Sequence, residues 1–134
     1  MDAHFMNLTV VGYEVSQSRQ FDSNDNAFTR AELHLSVQGT KSPRGNRTTR
    51  ATIIFGKPLE GDFFKVGHIE ENVGADHREA ELSVTLPQTE FDNYWNIITH
   101  AQQPHVFCTI TPHNGVKVEA LTLATAGFDE AVSH

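Results

Sequence analysis

The sequence predicts a mostly β fold, an antiparallel sandwich or barrel of about seven strands, with one short α-helix near residues 89–101. Three observations lead there. Apolar residues alternate with period two along most of the chain, one segment alone switches to helical spacing, and an Asn-Gly pair marks a hairpin near the C-terminus.

The alternation is clearest at 30–37, where Ala31, Leu33, Leu35 and Val37 interleave with Glu32, His34 and Ser36. Residues 79–86 repeat it, with Ala80, Leu82, Val84 and Leu86 on one face and Glu79, Glu81, Ser83 and Thr85 on the other. Such strands bury one face and solvate the other. Residues 5–16 form another strand whose phase slips: Leu8 and Val10 share one parity, Val11, Tyr13 and Val15 the other, which a bulge near Gly12 explains. Further strands are expected at 50–57 (Ala51, Ile53, Phe55) and, less cleanly patterned, at 62–70. Strands at 105–111 and 116–124 flank Asn114-Gly115, whose preference for positive φ suits a type I′ turn.

The helix rests on Phe91, Trp95 and Ile98 with Tyr94 beside them. Thr89 is the expected N-cap, Glu90 and Asp92 favour the first turn, and Pro87 and Pro104 bracket the segment. Its aromatic face is expected to lie against the sheets.

At 134 residues the chain has room for one domain, 1–134, with a core that needs no staple; 128–134 reads as a disordered tail. Cys108, the single cysteine, shares parity with Val106 and Ile110 and reads as a small core residue rather than a nucleophile. No apolar run approaches a membrane span, and the N-terminus has neither a basic start nor an apolar run, so a cytoplasmic location is the default expectation.

The formal charge is −7, which disfavours nucleic acid and anionic lipid as partners; protonating all eight His would bring it to +1. The charge is uneven. Residues 41–50, expected to be a loop, hold Lys41, Arg44, Arg47 and Arg50 and no acid. Residues 60–81 hold seven acids against Lys65 and Arg78. The plainest reading of the loop is a solvated tip; the functional one is contact with an acidic protein surface, either another partner or a second copy in a homo-oligomer. A phosphate-binding role is weaker because no aromatic residue is interleaved.

Two further sites are weighed against ordinary structure. Asp22, Asn24 and Asp25 place oxygen ligands as in the start of a calcium loop, but Ala27 and Leu33 stand where an EF-hand needs Gly and Glu, so a polar turn is the simpler account. Tyr94, Trp95 and His100 could line a ligand pocket beside the helix, against the alternative of core packing. No His pair has a recognised zinc spacing, although His100 and His105 flank the helix end and Asp76-His77 lies elsewhere. Serine-hydrolase, P-loop and dinucleotide motifs are absent. The residues therefore point to a non-enzymatic interaction or structural module that self-associates through a basic loop and an acidic surface; the alternative is a β domain that binds a small ligand or a metal, calcium or zinc.

Overall fold

A computed structural model describes residues 4–56, 67–111 and 117–124. Seven strands and one helix follow in order: β1 (His4–Phe21), β2 (Ala27–Gly39), β3 (Arg47–Phe55), β4 (Gly67–Val73), β5 (Glu79–Leu86), α1 (Phe91–His100), β6 (His105–Thr111) and β7 (Lys117–Ala124). The alternation at 79–86 corresponds to β5 residue for residue.

The strands pair in the ring β1-β2-β3-β5-β4-β7-β6 and back to β1, which makes the sheet a barrel rather than a sandwich. The β4–β7 seam is its thinnest link, a single pair between His68 and Lys117 among the described residues. One pairing departs from the expected antiparallel pattern: β3 and β5 run parallel, from Arg47 opposite Glu79 to Phe55 opposite Leu86. The cause is topological. The β4–β5 hairpin returns so that β5 inserts between β3 and β4, and β5 then runs in the same direction as β3.

Local chemistry explains the irregular points. The bulge is where the phase slip placed it, between Val10 and Gly12, so that Val11 is the extra residue. Before it Leu8 and Val10 face the core; after it Tyr13 and Val15 stand opposite the buried Leu35 and Leu33. Gly39 has φ +150° and lies so close to the Asn7 carbonyl oxygen that a side chain there would collide with it.

The helix starts later than Thr89. A 3₁₀ turn, Gln88–Glu90, leads into it, the N-cap is Glu90 without a side-chain cap bond, and the Glu90 N–H instead donates to the Pro87 carbonyl. The strand expected at 62–70 is described only from Gly67; its first five residues, the Asn114-Gly115 turn and the 128–134 tail lie outside the described residues. Strands β6 and β7 nonetheless pair antiparallel, as a hairpin requires. No described helix is long and apolar enough to cross a membrane.

The barrel interior is one apolar cluster that includes Leu8, Leu33, Ile53, Phe55, Val84, Val106 and Ile110. Each such side chain, fully buried, contributes roughly 1.5–3 kcal/mol. Helix α1 covers one end. Ile98 is buried, and Phe91, Tyr94, Trp95 and Ile97 pack on the cluster. Phe55, at the last position of β3, meets Phe91 at 5.3 Å and Tyr94 at 5.4 Å between ring centroids, both edge-on.

Candidate functional site: an open strand edge

The basic segment is not a free loop. Strand β3 begins at Arg47, so Arg47 and Arg50 are strand residues, opposite Glu79 and Glu81 of β5. Each guanidinium lies 3.9 Å from the facing carboxylate, Arg47 on Glu79 and Arg50 on Glu81. The charge complementarity between 41–50 and 60–81 is thus met, in part, within one chain. Both arginines are largely exposed, so each pair contributes little.

The turn before β3 is tied to the same acidic segment. Ser42 O accepts from the Gly45 N–H at 2.8 Å, and Glu71 of β4 reaches across to the loop. Its carboxylate accepts from the Ser42 hydroxyl, from the Asn46 side-chain amide at 2.9 Å and from the Arg44 backbone N–H at 3.0 Å. Ser42 is buried as a result. Lys41 and Arg44 make no ion pair among the described residues and are exposed.

The stretch at 22–26 is the turn of the β1–β2 hairpin. One Asp22 carboxylate oxygen accepts from the N–H groups of Asn24 and Asn26, each at 2.9 Å, and the Asp25 N–H bonds the Asp22 carbonyl. Asp25 has φ +61°, a conformation Asp tolerates well. One Asp22 carboxylate oxygen is therefore engaged in holding the turn, while Asn24 and Asp25 are exposed. Among the described residues no three His, Cys, Asp or Glu side chains gather closely enough to hold a metal ion.

Tyr94 and Trp95 are packing residues. Tyr94 abuts Phe55, and Trp95 stacks on Phe91 at 6.2 Å and meets the Tyr13 ring edge-on at 5.8 Å. Burial, helped by Glu90, pushes the Tyr94 hydroxyl above its usual pKa. His100 is exposed in the last turn, where its Nδ1–H donates to the Asn96 carbonyl at 2.9 Å. His105 is buried and pairs with the Asn7 side chain at 2.9 Å instead of joining His100. Cys108 is buried too, and burial pushes its thiol up to about 12.

The feature sequence reasoning missed is the edge of β1. Among the described residues all five exposed large apolar side chains, Phe5, Val11, Tyr13, Val15 and Phe21, are on this strand. Strand β6 pairs with β1 only from His4 to Thr9, and the Val10 N–H then donates to the Pro104 carbonyl at 2.9 Å. From Val11 to Phe21, β1 has β2 on one side and no strand on the other among the described residues. Helix α1 approaches this stretch at Tyr13, whose ring meets Trp95. Comparison with protein families, curated proteins and solved structures finds no match to this chain.

Two open grooves adjoin this strand. One, of about 520 Å³, lies on the β1–β6–β7 surface between Phe5, Asn7, Phe107 and Thr109. The other, of about 470 Å³, runs over Gly12, Glu14, His34, Ser36 and Arg50 on the outer face of β1–β2–β3. Neither includes Tyr94, Trp95 or His100. A signal for the edge existed in the sequence, because Val11, Tyr13 and Val15 fall out of phase with Leu8 and Val10. The period alone could not say that β6 stops short of them.

Proposed function

We propose that this chain is a non-enzymatic interaction module that self-associates, and that its working surface is the free edge of β1 rather than the basic loop. The observation that carries the reading is that, among the described residues, all five exposed large apolar side chains are confined to a strand half of whose edge has no partner strand. An open edge offers a row of N–H and C=O groups to an incoming extended segment. The basic residues support a smaller role, since Arg47 and Arg50 already face carboxylates of their own chain. Burial moves Cys108 and Tyr94 away from reactivity at neutral pH.

The test is native mass by light scattering over a range of concentration and salt, comparing the wild type with Val15→Lys/Phe21→Lys. Both side chains are exposed, so the double variant is expected to keep the native Trp95 fluorescence and to fall to single-chain mass. The wild-type assembly is expected to hold or tighten at high salt, as an apolar edge contact does. An assembly that loosens with salt and survives the double substitution would return the role to Lys41 and Arg44.

A further inference from the structure

We infer that the segment this edge accepts is the same edge of a second copy, paired antiparallel about a two-fold axis at Gln17; this inference rests on the reading just given. The pairing of β1 with β2 fixes which way the side chains face. Tyr13, Val15 and Gln17 stand opposite the buried Leu35, Leu33 and Ala31, so the odd-numbered residues from 13 to 21 share the barrel-side face. Gly12, Glu14, Ser16, Ser18 and Gln20 share the outer face.

A two-fold axis normal to a continuous sheet preserves faces, so only residues of equal parity can stand opposite one another. That leaves few registers. Centred on Gln17, Tyr13 meets Phe21 of the second copy, Val15 meets the aliphatic stem of Arg19, and Gln17 meets its counterpart. On the other face Ser16 meets Ser18, Glu14 meets Gln20 and Gly12 meets Asp22. Each exposed apolar side chain from 13 to 21 gains an apolar neighbour, and no charge faces a like charge. Centring on Ser18 sets Glu14 against Asp22, a repulsive pair. Centring on Ser16 sends Phe21 to Val11, inside the bulge.

The edge is only lightly blunted: the bulge at Val11 lies at one end of 11–21, and Glu14 and Arg19 are its only charges. The stretch contains no Pro and no Lys, the residues that commonly protect an open strand. An isologous pairing also closes on itself, because the β1 edge of each copy is taken by the β1 edge of the other. Tyr13, Val15 and Phe21 would then each gain a cross-strand neighbour in the dimer.

Gln17→Cys tests the register directly. Opposed residues in an antiparallel pair have Cα atoms roughly 4.5–5.5 Å apart, within the span a disulfide bridges. Under mild oxidation Gln17→Cys is expected to convert almost wholly to a covalent dimer, while Gln20→Cys, which would lie about six residues from its counterpart, stays uncross-linked. Buried Cys108 gives no background. Wild-type mass should be twice that of one chain. An assembly that Val15→Lys/Phe21→Lys dissolves but Gln17→Cys fails to cross-link would overturn this pairing and leave the edge as the interaction surface. A wild type of single-chain mass at every concentration would overturn both.

Discussion

Truncating Phe55 to Ala is expected to cost about 4 kcal/mol of folding stability. The side chain is fully buried at the end of β3, where it joins the barrel interior to the helix that covers it. Removing a buried Phe ring costs roughly 3–5 kcal/mol through lost transfer energy and the cavity left behind. Part of that sum is the pair of edge-on contacts with Phe91 at 5.3 Å and Tyr94 at 5.4 Å, each of which contributes about 0.5–1.5 kcal/mol beyond area. Against a typical total of about 5–15 kcal/mol, the variant should be marginal and should show it at moderate urea. Trp95 is the only tryptophan and stacks on Phe91, so its fluorescence reports both unfolding and the seating of the helix. A double-mutant cycle with Phe91→Ala should return a coupling of about 1 kcal/mol. A loss below about 1 kcal/mol with no coupling would refute the reasoning, since it would mean that the helix is not held through this ring.

Other variants separate strong contacts from weak ones. Glu71→Ala should destabilise by about 2–3 kcal/mol in a thermal or urea melt, because it leaves the buried Ser42 hydroxyl without its acceptor and takes from the Asn46 amide one of its two. Arg47→Ala and Arg50→Ala should each change stability by less than about 0.5 kcal/mol, as expected of exposed pairs at 3.9 Å. Cys108 should resist a thiol reagent at pH 8 in the native state and react at once in denaturant. Its thiol also sets an alkaline limit. The unfolded thiol ionises near pH 8.5–9 and the folded one near about 12, so between those values the unfolded chain binds fewer protons and stability falls by about 1.4 kcal/mol per pH unit. Cys108→Ala should lessen that alkaline slope in urea titrations at stepped pH.

The division between what the amino-acid order determined and what the tertiary structure decided follows the range of the forces. Alternation placed β2, β5 and β6, the parity slip located the bulge beside Gly12, and the Phe91, Trp95 and Ile98 spacing set the helix to within two residues at either end. These are local signals, because a strand or helix must present one apolar face whatever it packs against. The charge segregation between 41–50 and 60–81 was equally plain in composition. Only the fold showed that part of it is met inside one chain, because the insertion of β5 between β3 and β4 brings Glu79 and Glu81 beside Arg47 and Arg50. The same holds for Glu71, which serves a loop 25 to 29 residues away in sequence. It holds above all for the edge of β1. Tyr13 and Val15 carry the pattern of buried residues, and what leaves them open is that β6 pairs no further than Thr9. Periodicity states which face a residue belongs to; which neighbour covers that face is a long-range pairing, and no local pattern encodes where that neighbour ends.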